Sequence, residues 1–247
     1  LLVTPSGYQF DAHLKVILNE LTIAQKEALR AKQEKLLFGL PPIIGNYFFP
    51  NIVSKLIATG LIEQLETKEA GSQALLKLLL DGSLDFCLLG SLEPLTQPAL
   101  KAETFAQTSF KIIVSKQHPL AQKKAVYFSE LKDERFIVHN EGFIHDKVLK
   151  LLAQKEHFRP DVIYRTNYVH VLKSMVASNT GIAFLTDIAL SPNDDFSVLD
   201  LLDEHQPKFL LSIVTRATQV MTPAKKQLLD ILHDTVYHSP LGKETKQ

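Results

Sequence analysis

The spacing of apolar residues near the start of the chain predicts a long helix with one apolar face. Seven apolar residues alternate at intervals of four and three positions: Phe10, Leu14, Ile17, Leu21, Ala24, Ala28 and Ala31. This spacing keeps them on one side of an under-wound helix, as in a two-chain coiled coil. We therefore predict a helix from Tyr8 that dimerises through Phe10, Leu14, Ile17, Leu21 and Ala24. A helix packed on its own domain is the alternative, because three heptads is the lower limit for a coiled coil.

From residue 36 onward, short apolar runs alternate with amphipathic stretches. The pattern predicts strands at 36–40, 61–67 and 84–89, separated by helices at 43–59 and 72–80. This alternation is typical of a parallel sheet with right-handed crossovers. Pro41-Pro42 precedes the first of these helices, where proline is tolerated because the first amides of a helix have no partner within it.

After a break at 90–98, the alternation resumes and predicts a second lobe. Its strands are expected at 110–115, 136–139, 162–165 and 181–185, and its helices at 146–154 and 168–178. A strand at 209–215 and a helix at 223–237 are expected to return to the first lobe. The fold class is therefore α/β, with two Rossmann-like lobes behind a long N-terminal linker helix. We divide the chain into 1–35, lobe I at 36–108 plus 213–247, and lobe II at 109–212.

Composition narrows the functional classes. The 247 residues include 27 basic and 27 acidic side chains, so the chain has no bulk charge for binding nucleic acid or an anionic membrane. The single cysteine, Cys87, cannot form an internal disulfide, and no secretion signal or membrane-length apolar run is present. These features predict a cytoplasmic protein that does not enter membranes.

The sequence contains no recognisable catalytic motif. A Gly-x-Ser-x-Gly elbow and a phosphate-binding loop are both missing. His139 and Glu141 have the His-x-Glu spacing of zinc deaminases, but the Pro-Cys-x-x-Cys partner is lacking. His139, Glu141 and His145 are a weak metal candidate, because isolated histidines are usually structural. We predict no catalytic residue, metal or cofactor, and we expect Cys87 to be a core residue.

A ligand site is predicted where strands end and helices begin, because helix N-termini offer unpaired amides and partial positive charge. One wall would hold Pro41, Pro42, Ile43, Gly90, Ser91 and Leu92. The other would hold His139, Asn140, Glu141, Phe143, Thr166, Asn167, Tyr168 and Thr186. Such walls suit a small carboxylate. Asn167 is equally a candidate helix cap, and Arg165 is a candidate carboxylate partner or an ordinary ion-pair member.

Several short motifs together resemble one known family. They are the Thr4–Tyr8 segment before the long helix, Gly39 and Pro50 around the first lobe helix, Gly82-Ser83-Leu84-Asp85, His118-Pro119-Leu120-Ala121 and the 178–185 segment. In this order they resemble the effector-binding region of LysR-type transcriptional regulators, over nearly the whole chain. The resemblance implies a periplasmic-binding-protein type of fold. It also implies that residues 1–35 are the end of a winged helix-turn-helix and a linker, with a DNA-binding head missing.

The resemblance also implies partners: a small-molecule effector, a homodimer or homotetramer, and DNA through the missing head. Within the family, the segment 38–50 is similar to a malate-related subgroup, which implies an organic acid such as malate as effector. The sequence departs from the family pattern at Asn179 to Gly181, at Thr186, and at Pro41 to Ile43, where many relatives carry Ser or Thr. That last change removes a hydroxyl from the expected anion site.

Two other functions share this architecture. A solute-binding protein of a transport system would need a secretion signal and has no use for a dimerising helix. An enzyme such as hydroxymethylbilane synthase carries its cofactor on a loop cysteine, whereas Cys87 lies in a predicted strand. The sequence therefore favours a regulator over both.

Overall fold

The computed structural model describes residues 3–31 and 35–244 as an α/β protein with two mixed sheets. Its strands in chain order are β1 (Leu36–Leu40), β2 (Leu65–Glu69), β3 (Phe86–Ser91), β4 (Leu100–Thr108), β5 (Phe110–Val114), β6 (Ala125–Val126), β7 (Arg135–His139), β8 (Asp161–Thr166), β9 (Ile182–Thr186), β10 (Ser197–Leu201) and β11 (Phe209–Arg216). Its α-helices are α1 (Pro5–Ala31), α2 (Pro42–Thr59), α3 (Ser72–Leu80), α4 (Ile144–Lys155), α5 (Val169–Ala177), α6 (Pro223–Tyr237) and α7 (Pro240–Glu244). Short 3₁₀ helices occupy Leu61–Gln64, Pro119–Gln122, Phe128–Leu131 and Asp187–Ala189.

The first sheet has the strand order β2-β1-β3-β11-β4. The predicted parallel unit is present, since β1 pairs in parallel with both β2 and β3. Strand β11 then pairs antiparallel with β3 and with β4. The sequence pattern did not reveal β4, because polar residues of this edge strand, such as Lys101 and Glu103, are exposed to solvent and interrupt its apolar positions.

The second sheet has the strand order β6-β10-β5-β9-β7-β8. Strands β7, β8 and β9 run in parallel, and β5 pairs antiparallel with β9 and β10. Strands β6 and β10 were not predicted, because β6 is only two residues long and the polar residues of β10, Ser197 and Asp200, do not alternate regularly with its apolar ones. The chain crosses between the sheets after β4 and again after β10. Strand β11 of the first sheet begins at Phe209, four residues before residue 213, where lobe I was predicted to resume. The division of the chain into lobes stays a prediction.

Two predicted elements begin three or more residues away from their predicted starts. The linker helix begins at Pro5 rather than Tyr8, because proline is accepted in the first turn and the Gly7 amide donates to Thr4 Oγ1 at 3.2 Å. The predicted strand 61–67 begins only at Leu65. Gly60, at a left-handed φ of 73°, ends α2, and a 3₁₀ turn then buries Leu61.

Helix α1 combines an exposed seam with a docked C-terminal part. Phe10, Leu14, Ile17 and Leu21 are between 37% and 65% exposed. Further along, Ile23 is buried against the turn at Gly82. Packing on the chain's own domain, the alternative weighed for this helix, therefore describes its C-terminal part. Ala24 and Ala28 are exposed, whereas the side chain of Ala31, with residues 1–2 and 32–34 of the predicted linker segment, lies outside the described residues.

Polar contacts fasten the docked part of α1 to the first sheet. Lys26 Nζ donates to the Asp81 carbonyl at 3.0 Å and to Ser83 Oγ at 2.8 Å. The buried Arg216 guanidinium binds Glu27 and also donates to the carbonyls of Leu79 and Leu84. The orientation of α1 is therefore tied to the first sheet.

An aromatic cluster joins the two sheets where the chain crosses between them. The Phe110 and Phe184 rings stack at 4.9 Å, and Phe209 meets Phe110 edge-on at 5.8 Å. Nearby, Asp187 accepts hydrogen bonds from Thr108 Oγ1 at 3.1 Å and from the Ser109 amide at 3.2 Å. The apolar core is continuous across both sheets.

Among the described helices, none is long and apolar enough to cross a lipid bilayer.

Candidate ligand cleft between the lobes

A cavity of about 510 Å³ opens between the two sheets where four helices begin. Helices α2 and α3 approach it from the first sheet, and α4 and α5 from the second. Its lining residues are Pro42, Asn46, Glu69, Ala70, Gly71, Asn140, Glu141, Phe143, Asn167, Tyr168, Val169 and His170. A larger cavity, of about 930 Å³, lies beside β8. Residues 141–165, from the second sheet and its flanking segments, line it, so a ligand bound there would contact one lobe only.

The four helix N-termini at this cavity are not capped by side chains. The residues that precede the helices are Pro41, Gly71, Phe143 and Tyr168, and none of them accepts a side-chain hydrogen bond from its helix. First-turn amides and the helix dipole give each N-terminus a partial positive charge of about half a unit. Four such ends around one cavity favour an anionic ligand.

Polar side chains complete the lining. Asn140 Nδ2 donates to Asn167 Oδ1 at 2.8 Å, which joins the loops before α4 and α5. Glu141 lies at the exposed rim, and Lys150 holds it at 3.0 Å while also binding Asp146 at 2.8 Å. The lining therefore combines the side-chain amides of Asn46, Asn140 and Asn167 with two carboxylates, Glu69 and Glu141, both of which are exposed.

The two lobes touch backbone to backbone at one side of the cavity. A Cβ atom added at Gly71 would lie 2.6 Å from the Gly142 carbonyl oxygen. Gly142 itself has a φ of 92°, a backbone conformation that glycine adopts readily. This close approach exists only because Gly71 has no side chain.

Two buried histidines lie behind the cavity wall. His139 Nδ1 is 3.2 Å from the Thr166 carbonyl, and the ring stacks on Phe143 with centroids 5.1 Å apart. The His145 ring lies 5.3 Å from that of His139, and its Nε2 is 3.3 Å from Thr186 Oγ1. Burial lowers the pKa of His139 to about 4 and holds the pKa of His145 well below its usual value. Both rings are therefore neutral at pH 7.

Some of the predicted ligand residues line the cavity and others lie behind it. Those at the cavity are Pro42, Asn140, Glu141, Phe143, Asn167 and Tyr168. Pro41, Ile43, Ser91, His139, Thr166 and Thr186 are buried, and Leu92 packs against the core. Gly90 lies under the Phe209 ring. Ligand contact at these positions stays a prediction.

The sequence analysis missed six cavity residues: Asn46, Glu69, Ala70, Gly71, Val169 and His170. Glu69 is the last residue of β2, and Ala70 and Gly71 follow it. The rule that ligands lie beyond strand ends would have found this segment had the strand been placed correctly. Asn46 lies one helical turn beyond Pro42, and His170 is in the first turn of α5. Including the whole first turn of each predicted helix in the predicted ligand site would have added both residues.

Three alternatives can now be compared with the geometry. Asn167 does not cap α5, because its Oδ1 binds Asn140 while Thr166 Oγ1 accepts the Tyr168 amide at 3.0 Å. Arg165 is an ion-pair member, since its Nη1 lies 2.7 Å from Asp146 Oδ1. His139, Glu141 and His145 do not gather as metal ligands, and no cluster of three such ligands occurs in the ranges 3–31 and 35–244.

Comparisons with known proteins identify relatives over more than nine-tenths of the chain. Residues 30–236 match the family described as LysR substrate binding domain. The chain is 32% identical over 233 residues to the malolactic fermentation system transcriptional activator of Lactococcus lactis subsp. lactis, which covers 93% of this chain and 78% of that protein. It is 23% identical over 239 residues to the hydrogen peroxide-inducible genes activator of Pectobacterium carotovorum, covering 94% of this chain and 78% of the relative.

A solved structure shares the fold. The regulatory domain of Synechocystis PCC6803 CcmR in complex with 2-PG superposes with a TM-score of 0.70 at 18% identity, over 81% of this chain and 97% of that domain. The predicted fold class is thereby confirmed. The relatives that the chain matches in sequence are transcriptional regulators and not enzymes.

Proposed function

This chain belongs to the LysR substrate-binding-domain family, and on that premise we propose that it senses a small carboxylate for a DNA-binding transcriptional regulator. The carboxylate binds between the two lobes, and the response is passed through α1 to a helix-turn-helix head outside this sequence. The protein acts in the cytoplasm as a homodimer or homotetramer. Malate is the first effector to test, because the malolactic relative is similar over most of its length.

The observation that supports this function best is the meeting of four uncapped helix N-termini at one cavity. Helices from both lobes begin at this cavity, and none of the four has a side-chain cap. An anion there interacts with the two lobes at once, so it stabilises the arrangement in which they are close. A difference of about 1 to 3 kcal/mol in affinity between two arrangements is typical of allosteric coupling.

The effector class is tested by isothermal titration of the protein with a panel of small acids that includes malate. Binding of carboxylates, with weak or no binding of neutral and cationic analogues of the same size, is the expected result. Binding of a neutral or cationic compound, with no organic acid bound, would refute the proposal.

We predict that Gly71→Ala weakens effector binding about tenfold, which corresponds to about 1.4 kcal/mol. The new methyl group would lie 2.6 Å from the Gly142 carbonyl, so the lobes must separate at this contact. Separation moves α2 and α3 away from a ligand held by α4 and α5. Isothermal titration of both proteins measures the change.

The control for this prediction is the thermal unfolding midpoint without added acid. Gly71 is buried against the Gly142 backbone, so the midpoint should fall, and the affinities are compared at a temperature at which both proteins remain folded. Unaltered affinity in a folded Gly71→Ala variant would contradict a role for lobe closure in binding.

We predict that Ile17→Glu shifts the protein from dimer to monomer. Ile17 is 61% exposed on the apolar seam of α1, and a carboxylate buried between two helices would lack a partner. Leu18→Glu is the matched control, because Leu18 is 58% exposed on the same helix but lies off the seam. Sedimentation equilibrium should show monomers for Ile17→Glu and dimers for Leu18→Glu. If the two variants associate equally, the prediction that the apolar seam of α1 forms the dimer contact is wrong.

Redox sensing is the second candidate, because one relative is a hydrogen peroxide-inducible activator. The sequence holds one cysteine, so no internal disulfide can form. Cys87 is completely buried, its Sγ lies 4.0 Å from the Leu75 carbonyl, and burial raises the pKa of its thiol. Because the thiolate is the reactive form, these features favour ligand sensing over redox sensing.

A further inference from the structure

Helix α3 runs from the ligand cavity to the place where the first sheet holds α1. At its N-terminal end, Gly71 lines the cavity and packs against the Gly142 backbone of the other lobe. At its C-terminal end, the chain turns through residues 81–84 and enters β3. A nine-residue helix is about 13 Å long, so one short element joins the two places.

Helix α1 is held at the end of α3 by a joint, which consists of Ile23, Lys26 and Glu27 with Arg216 and residues 79–84. Lys26 Nζ donates hydrogen bonds to the Asp81 carbonyl at 3.0 Å and to Ser83 Oγ at 2.8 Å. Ile23 is buried and packs on Gly82, where an added Cβ would lie 3.0 Å from its side chain. Because residues three apart lie on one face of a helix, α1 rests on the turn along a single stripe.

Arg216 closes the joint from the end of β11. Its buried guanidinium binds the Glu27 carboxylate of α1 and donates to the carbonyls of Leu79 at 2.9 Å and Leu84 at 2.6 Å. These two carbonyls flank the turn that follows α3. One buried cation therefore ties α1 to the last turn of α3 and to the residue that leads towards β3, and removing a partner of a buried charge is costly.

The packing of α3 favours movement of this helix as one unit. Its buried Leu75 and Leu79 belong to a small apolar cluster that is separate from the core shared by the two sheets. In its first turn, Ser72 Oγ accepts the Gly90 amide at 3.1 Å. Because its own hydrogen bonds keep a helix rigid and small slides of packed helices are a common form of domain movement, a shift at Gly71 is carried to the far end of α3.

We propose that α3 transmits the separation of the lobes at Gly71 to α1 through the joint. This inference rests on the proposed sensing function and gives the route by which closure of the cavity reaches the helix that leads to the DNA-binding head. Separation of the lobes shifts α3, lengthens the contacts of Lys26 and Arg216, and loosens the C-terminal part of α1. Closure of the lobes restores these contacts.

The test needs no effector, because Gly71→Ala forces α3 away from the Gly142 carbonyl. Hydrogen–deuterium exchange of the amides of residues 23–29 then measures how firmly α1 is held. We expect these amides to exchange about fivefold faster in Gly71→Ala, which is the lower end of ordinary allosteric coupling. Lys26→Met breaks the joint beforehand, so in that background Gly71→Ala should cause no further increase.

Gly181→Ala is the matched control for the steric clash. It places a methyl group 2.6 Å from the Arg135 carbonyl, the same distance from a backbone oxygen as in Gly71→Ala, but beside the second sheet. A general loss of stability would raise exchange of residues 23–29 in both variants. Transmission through α3 raises it in Gly71→Ala alone.

Lys15→Met is the matched control for the joint. It makes the same substitution on the same helix but removes only an exposed pair with Asp11, so the fivefold response to Gly71→Ala should persist. If Gly71→Ala does not fold, Ser72→Ala loosens the same end of α3, because it removes the acceptor of a backbone amide of β3. The same response of residues 23–29 is then expected.

The outcomes separate this inference from the proposed function. Faster exchange in Gly71→Ala that is absent in the Lys26→Met background supports transmission through α3. Unchanged exchange in Gly71→Ala, a response that survives Lys26→Met, or an equal response to Gly181→Ala would overturn it. These measurements contain no acid, so such a result leaves carboxylate sensing intact. Failure of every acid to bind, with binding of a neutral or cationic compound, would overturn the proposed function itself, and the exchange rates would still decide the inference.

Discussion

Replacing Asp85 by alanine is expected to lower the free energy of unfolding by about 3 to 5 kcal/mol. Asp85 is 1% exposed at the start of β3. Its Oδ1 lies 2.9 Å from Lys225 Nζ, and its Oδ2 accepts the Leu37 amide at 2.9 Å. The carboxylate therefore joins β1, β3 and the first turn of α6. Alanine would leave the Lys225 ammonium, itself mostly buried, without this counter-charge.

Urea denaturation at pH 7 measures the loss of unfolding free energy. The dependence of that free energy on urea concentration must be the same for both proteins, so that their midpoints can be compared. Asp85→Asn should cost less, because an amide oxygen can still accept the Leu37 amide. Asp195→Ala removes the carboxylate of an exposed pair with Lys116 and should leave the midpoint unchanged. Equal midpoints for Asp85→Ala and Asp195→Ala would contradict this structural role.

Replacing Gly90 by alanine is expected to cost about 3 kcal/mol through overpacking. A Cβ atom at this position would lie 2.1 Å from Phe209 Cζ and 2.3 Å from its Cε2. The Phe209 ring cannot withdraw cheaply, because it is 2% exposed and packs on Phe110 and His145. Because the His145 ring also contacts the His139 ring, the substitution should also disturb the wall behind the ligand cavity.

A double-mutant cycle with Phe209→Leu isolates this steric conflict. Leucine leaves room above position 90, so Gly90→Ala should cost less in the Phe209→Leu background than alone. Urea unfolding of the four proteins gives the coupling free energy, which should be at least about 1 kcal/mol. Strictly additive effects would show that the Phe209 ring is not what excludes a side chain at position 90.

The motifs that carried the family resemblance have structural roles in this chain. Asp85, the last residue of the Gly-x-Leu-Asp segment, ties three elements together as described above. His118 Nδ1 accepts the Leu120 amide at 3.2 Å, so the His-Pro turn caps a 3₁₀ helix. Gly181 brings its Cα close to the Arg135 carbonyl, where an added Cβ would lie at 2.6 Å. Such motifs indicate the fold strongly and say little about the effector.

The apolar period of the sequence was sufficient to identify most elements, because burying one face of a helix or strand constrains side chains that are close along the chain. Predictions failed where that constraint is weak. Strands β4 and β10 mix polar with apolar residues, and the 61–64 segment is a 3₁₀ turn whose length and composition resemble a short strand. The sequence also did not reveal that α1 packs on the first sheet, since Ile23 is the only buried residue among the side chains of α1 that the structure describes.

By itself, the sequence determined the two-lobed α/β fold, the long first helix and the family, all of which depend on local patterns repeated in order. Only the tertiary structure decided that the N-termini of α2, α3, α4 and α5 share one cavity, that Gly71 meets Gly142, and that Lys26 of α1 binds the turn after α3. These contacts join segments far apart in the chain. Their geometry depends on how the lobes pack together, and no local spacing of residues encodes that arrangement.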